Sequence, residues 1–317
     1  MSKAVDVLIL GGGPAGLAVA GGLARQLHTA VVFSSGSFRN AGTQHMHNVS
    51  GWDHENPADF RAKTMADIMS RYSTIQFRDV GVTSVRKLEN GRFEAVDDVG
   101  DKYEGRKVVI ASGIRDIMPD IPGYSQLWGK GIFHCLFCHG YEERGASSAG
   151  VFASGLLGNI MFGPAVSRMA GRLAGTVNVY TDGNEAVGAE IRAVLKSTKK
   201  FHIENRKVKS VTKDPDVQGE AGVLVTLEDG TVNKEGFISH VPDFELNGSF
   251  ATDLGVELAP QGHINALPPF FNTNVPGVFA AGDCATPLRS VPTATMMGSF
   301  VAAGLAHSLQ AEDDVEE

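Results

Sequence analysis

Residues Val5-Asp-Val-Leu-Ile-Leu-Gly-Gly-Gly-Pro-Ala-Gly16 decide the fold. Val5–Leu10 has the length and character of a buried strand, and it passes directly into glycines at 11, 13 and 16. A helical pattern over Ala15–Gln26 and a second strand at Ala30–Phe33 complete a βαβ opening. The GxGxxG spacing is informative only between a strand and a helix, which is where it stands. Gly11 permits the tight turn, Gly13 lets a pyrophosphate approach the backbone, and Gly16 lets the helix pack closely on the strand. Pro14 and Ala15 then open the helix whose amides face the anion. The plainer alternative is a tight turn with no ligand. An acidic residue usually closes the second strand to hold an adenine ribose. Here Ser34 and Ser35 follow Phe33, so Ser35 and Arg39 are the candidate replacement donors, against a merely solvated loop.

At 317 residues the chain is longer than one core usually serves, and two domains are expected. A second βαβ-type unit starts near Gly150–Ala153, with a helical stretch around Ile160–Leu173 and a strand at Thr176–Tyr180. Near the C-terminus, Gly277–Asp283 reads as a short strand ending in Gly-Asp, followed by a helix from about Thr293 to Leu309. If that strand returns to the first sheet, the first domain is discontinuous. The expected organisation is therefore α/β, with two Rossmann-like dinucleotide-binding domains, the second inserted in the first: 1–115 with 243–317, and 116–242 between them.

The composition, 43% hydrophobic and 20% charged with 38 glycines, fits an α/β protein rich in strand-to-helix turns. A formal charge of −8 without a Lys/Arg cluster argues against a nucleic-acid surface. The N-terminal run is too short for a membrane span and lacks a cleavage-site pattern, so a cytoplasmic protein without a membrane partner is expected. Only the acidic tail Glu312–Glu317 suggests disorder. Three cysteines are too few for a secreted disulfide framework, and two of them form one CxxC.

That motif, Phe133-His-Cys-Leu-Phe-Cys-His-Gly140, places Cys135 and Cys138 where they can close a small disulfide ring, expected at a helix start whose dipole favours one thiolate. A zinc site usually pairs two such motifs; with one CxxC and only His134 and His139 nearby, metal and inert buried cysteines are the minor alternatives, and no metal is expected. His139, then His134, are the acid/base candidates, each against a packing role. Cys284 is assigned no role, as a lone buried cysteine usually behaves as a small hydrophobe.

Val109-Ile-Ala111-Ser112-Gly113 resembles the Ala-Thr-Gly turn of two-dinucleotide flavoproteins. With Gly11–Gly16 upstream and Gly282-Asp283 downstream it forms a three-part pattern similar to FAD enzymes of the disulfide-reductase fold. The resemblance implies FAD, with Asp283 on its ribityl chain and Thr295 and Met296 near the pyrimidine edge. Over nearly its whole length the chain resembles the low-molecular-weight thioredoxin reductases. This implies a homodimer in which Cys138 faces the flavin and Cys135 exchanges with substrate. It also places His47-Asn48 and Gly51 in a flavin-lining loop and Val82 beside the adenine.

Two departures stand out. The second glycine turn reads Ala153-Ser154-Gly155-Leu-Leu-Gly158, and Thr181-Asp182-Gly-Asn-Glu185 stands where arginines would hold an NADPH phosphate that carboxylates repel. The run from Cys135 to Glu142 is instead similar to the gliotoxin- and holomycin-type dithiol oxidases, as is Phe38-Arg39-Asn40. That resemblance implies a small-molecule dithiol and O2 as partners, an intramolecular disulfide as product, and H2O2. Two other readings stay open: a reductase using NADPH, or NADH with Asp182 on its ribose, and a flavin-bearing redox sensor.

Overall fold

The computed structural model describes residues 3–316. It divides into two units, Met1–Gln44 with Val49–Arg115 and Glu245–Glu317, and His45–Asn48 with Asp116–Phe244. The division differs from the sequence expectation at residues 45–48, which pack with the second unit, and at the return crossing, which falls at 244/245. Both crossings lie in strands, Ile114–Ile117 and Asp243–Leu246, that pair with one another.

In the first unit, strands Ile75–Arg78, Ala30–Phe33, Lys3–Leu10 and Lys102–Ile110 run parallel in that spatial order. Lys102–Ile110 is shared on its far side. Its first half pairs antiparallel with Phe93–Asp97, and its second half pairs parallel with Val278–Ala280. Val7–Leu10, Val31, Val32 and Val108–Ile110 are buried on both faces, as a parallel sheet covered by helices requires. The register aligns Leu10 with Ile110 and Ile110 with Ala280, so three strands end side by side. The turns that follow them are the three pieces of the sequence pattern.

Helix Pro14–Arg25 packs against helix Val291–Glu316, and small residues let them meet closely. A Cβ on Gly298 would lie 2.3 Å from the Ala15 carbonyl oxygen, and one on Gly22 would lie 2.5 Å from Ala302 Cβ. The long helix runs past the expected end at Leu309 and takes in the acidic tail to Glu316; Glu317 lies outside the described residues. The reason is electrostatic. Arg106 reaches Glu312 at 3.1 Å and Asp313 at 2.8 Å, and the buried Lys107 also pairs with Glu312, so the tail answers cations that the strand presents. Among the described residues, no helix is long and apolar enough to cross a membrane.

The second unit repeats the plan. Its parallel strands are ordered Phe201–Glu204, Ala174–Tyr180, Ala146–Phe152, Ile238–Ser239 and Ile132–Phe133. Helices Gly163–Leu173 and Glu185–Val194 accompany them, with a three-stranded antiparallel sheet formed by Val208–Lys213, Val223–Leu227 and Val232–Glu235. Its core carries polar groups, among them a bonded glutamate and a bonded histidine. Glu235 accepts from Asn178 at 2.7 Å as well as from Ser148 and Tyr180, and burial raises its pKa. His240, only 3% exposed, lies between the Tyr124 hydroxyl at 2.6 Å and Ser154 Oγ at 3.0 Å.

Burial lowers the His240 pKa to about 4. Above the unfolded value near 6.5 both states are neutral; as pH falls towards 4 the unfolded chain takes up a proton that the fold refuses, and stability is lost. Unfolding in urea, followed by Trp128, whose ring stacks on Tyr124 at 5.9 Å, should show the second unit weakening by about 2–3 kcal/mol between pH 7 and 4.5. His240→Gln should flatten that slope measurably.

Candidate active site

In the first unit Gly11, Gly12 and Gly13 alone separate strand from helix. A Cβ on Gly11, whose φ is +128°, would stand 2.2 Å from the Ala111 carbonyl oxygen, and one on Gly16 only 1.9 Å from the Gly11 oxygen. These two glycines are therefore required by the packing of the turn itself. Gly13 differs: a Cβ there meets nothing within 4 Å. Its neighbouring helix starts with Pro14 and has no side-chain cap, so the open space faces a helix N-terminus suited to a phosphate.

The other two turns are tied down beside it. The amide of Ala111 donates to Leu10, and that of Ala281 to Ile110. Ser112 Oγ donates to the Asn247 carbonyl at 2.8 Å, while the Asn247 amide side chain returns a bond to the Ser112 carbonyl at 2.9 Å. Gly113, at φ +70°, accepts from the Asn247 backbone. Asn247 is a site residue that sequence reading missed, for it lies 135 positions from its partner with no motif around it. Asp283 follows Gly282 and is held by Arg39 at 3.1 Å. Arg39 is thus beside Asp283, while Asn40 accepts from Arg61 at 3.0 Å.

Ser35 lies in the turn after the second strand, where its Oγ faces the Ser37 amide. Val82 starts a strand and packs partly buried on the core. Thr295 turns its hydroxyl back to the Val291 carbonyl, and Met296 points outward, exposed. The glycine cradle, the Ser112–Asn247 clasp and the Arg39–Asp283 pair fit an FAD. The glycine turn would hold its pyrophosphate and Asp283 its ribityl hydroxyls. Cys284 is buried, donates weakly to the Ile110 and Ala281 carbonyls, and has its pKa pushed up to about 12 by burial; it remains a thiol at neutral pH.

Cys135 and Cys138 form a disulfide. They lie in a succession of turns, with the amides of Cys138 and His139 both donating to the Cys135 carbonyl at 3.2 and 3.0 Å. No helix starts here, so the expected helix dipole does not act on either sulfur. Gly140, at φ +101°, ends the turn where a continuing helix would need a right-handed residue.

His47, expected beside the flavin, donates from Nδ1 to the Cys138 carbonyl at 2.8 Å. That bond fixes the ring, and its Nε2 faces Glu142 Oε1 at 3.4 Å. Asn48 follows it at φ +59°. His139 stacks on Phe133 with centroids 4.9 Å apart, and neither ring nitrogen has a hydrogen-bond partner among the described residues. Burial, reinforced by nearby His47, lowers its pKa to about 4, so it is neutral at physiological pH. His134 instead lies against Trp128, 6.0 Å between rings. Glu143 is the group moved towards neutrality: burial, with Glu142 beside it, raises its pKa, and its Oε2 is buried without a partner. The sequence carried a faint sign of this in the acidic pair that follows Tyr141.

Gly13→Ala should give a folded protein that loses about tenfold or more in FAD affinity, since it fills only ligand space. Gly16→Ala should lower apoprotein stability by about 1–3 kcal/mol or prevent folding. Flavin retained after ultrafiltration and apoprotein melting curves separate the two effects.

Comparison with known proteins agrees with this geometry. Residues 5–298 match the model of the pyridine nucleotide-disulphide oxidoreductase family. The chain is 44% identical over 306 residues to thioredoxin reductase aclD of Aspergillus oryzae, covering 96% of each chain. It is 39% identical over 304 residues to thioredoxin reductase sirT of Leptosphaeria maculans, covering 95% of this chain and 93% of that one. Among solved structures, HlmI superposes with a TM-score of 0.86 at 28% identity, over 100% of this chain and 96% of its own. A match on this scale, together with the glycine cradle and the CxxC disulfide, places the chain in the pyridine nucleotide-disulphide oxidoreductase family as an FAD-dependent, thioredoxin reductase-like disulfide oxidoreductase.

Proposed function

We propose that this protein is a dithiol oxidase that closes an intramolecular disulfide in a small-molecule natural-product dithiol and passes the electron pair to oxygen. The observation that supports this reading is the contrast between the two turns. Three glycines join strand to helix in the first unit, whereas ten residues, 153–162, intervene in the second. They include a 3-10 turn at Gly155–Gly158, and the Asn159 carbonyl already accepts the amides of Phe162 and Gly163 at 3.1 and 2.9 Å. A pyrophosphate needs free amides close to the strand end. Asp182, the candidate ribose ligand, is committed through Oδ1 to the Val208 amide at 2.8 Å. Both features favour a dithiol over a nicotinamide as the electron donor.

In the first step a substrate thiolate attacks Cys135, forming a mixed disulfide as the Cys135–Cys138 bond breaks and Cys138 leaves as thiolate. The second substrate thiol displaces Cys135, releasing the cyclic disulfide and leaving both enzyme cysteines reduced. Two electrons and two protons have moved from substrate to enzyme. Bound FAD supplies the two-electron passage from this dithiol to oxygen, which leaves with the two protons as hydrogen peroxide. His47 anchors the Cys138 carbonyl through the cycle. His139, uncharged, serves as acceptor, and Glu143 is the group whose raised pKa suits it to carry a proton. The same reading carries a homodimer, for which exposed Met69, Met296 and Phe300 offer apolar surface.

A second reading, nicotinamide-dependent reduction of a protein disulfide, is favoured by the names of the fungal relatives. The two separate cleanly in an oxygen electrode. With dithiothreitol the holoenzyme should consume oxygen and form an equal amount of peroxide, and Cys138→Ser should cut this by more than about a thousandfold. NADPH and NADH should leave the flavin oxidised; rapid bleaching by either would establish the reductase instead.

A further inference from the structure

The turn around the disulfide spends its apolar residues unevenly. Leu136 packs on the second unit's core, but Phe137, between the two cysteines, is 68% exposed, and Tyr141, three residues past Cys138, is 63% exposed. Leaving an aromatic ring in water forgoes about 1.5–3 kcal/mol of burial, and here two rings do so on the one segment that carries the redox bond. Tyr141 is also held in place. The Arg144 guanidinium lies 4.1 Å from its ring centroid while Nη1 donates to the Tyr141 carbonyl at 2.9 Å. Arg144 is the sole Lys or Arg in residues 134–145, so the cation of the turn is engaged, and Glu142, which faces His47 at 3.4 Å, adds a carboxylate next to Tyr141 in the chain.

We propose that Phe137 and Tyr141 are the specificity residues of this site, an aromatic platform that selects compact dithiols with an uncharged apolar face, and that Glu142 disfavours dithiols carrying an additional negative charge. The proposal rests on the dithiol-oxidising reading given above. Magnitudes decide between a small molecule and a protein as the occupant. Two aromatic side chains bury roughly 150–250 Å² each, enough to cover one face of a small ring system, whereas a stable protein interface needs about 800 Å² per partner. Stacking on an aromatic ring is worth a factor of roughly three to ten, and an apolar dithiol can use either ring.

The test uses the FAD-loaded full-length protein and follows flavin bleaching without oxygen, a readout independent of the final electron acceptor. The probes are 1,2-benzenedimethanethiol, dithiothreitol, dihydrolipoamide, dihydrolipoate and a reduced thioredoxin. Phe137→Ala and Tyr141→Ala should each raise the half-saturating concentration of 1,2-benzenedimethanethiol about three- to tenfold and leave that of dithiothreitol within about twofold. Phe137→Trp should restore the loss. Glu142→Gln should narrow the preference for dihydrolipoamide over dihydrolipoate. Equal losses on both small dithiols, no loss on either, or a loss confined to thioredoxin would overturn the proposal. If no dithiol bleaches the wild-type flavin, the functional reading itself fails, a distinct result.

Discussion

The alignment of Leu10, Ile110 and Ala280 at one edge of the first sheet is the constraint on which the rest depends. It is enforced by the parallel ladder, which places three strand ends in register and leaves no room for side chains where their turns cross. Gly11 and Gly16 answer that crowding, since a Cβ at either would overlap backbone. What crowding does not explain is the glycine at 13, where a Cβ would meet only open space beside a helix N-terminus that would suit a ligand phosphate. The helices contribute in the same manner. Gly22 and Gly298 let Pro14–Arg25 and Val291–Glu316 approach so closely that the helix start is held against the sheet.

The second unit shows what happens to the same topology when that constraint is relaxed. Its strand and helix are present, but the residues between them have become a longer loop whose amides bond internally. Ser154, in that loop, is bonded to the buried His240. The fold persists because its cores are elsewhere, in Ala149, Val151, Val177 and Val179 and in the cluster around Tyr124 and Val225. On the function proposed here, this scaffold serves as a carrier for the disulfide turn. Around that turn the histidines differ in kind. His47 is anchored by two acceptors, while His139 is stacked and shielded from water, so burial and contact separate two residues of one type.

Much of the first unit was legible in the sequence, because its signals are local: a strand, a glycine turn and a helix within some twenty residues. The strand Ala30–Phe33 is found where the period places it. The second unit was less legible. The strand that opens its βαβ unit starts at Ala146, earlier than the apolar run suggests, because Ser148 bonds to the buried Glu235 and the Ser147 carbonyl accepts from Thr176. The disulfide turn resembled a helix start because of its CxxC spacing, but Gly140, at φ +101°, takes the chain out of the helical region. His47 and Asn247 act at distances of 91 and 135 positions, which no pattern in one chain reveals. The acidic tail was misjudged for the same reason, its partners being Arg106 and Lys107 two hundred residues earlier.

The measurement that bears most directly on the electron path is the reoxidation of enzyme reduced anaerobically with one equivalent of dithiol. On admission of oxygen the oxidised flavin spectrum should return with one hydrogen peroxide per active site, and under nitrogen neither NADP+ nor NAD+ should restore it. Anaerobic return of the spectrum with NADP+ or NAD+ would contradict the account, for it would mean that the second unit still seats a nicotinamide.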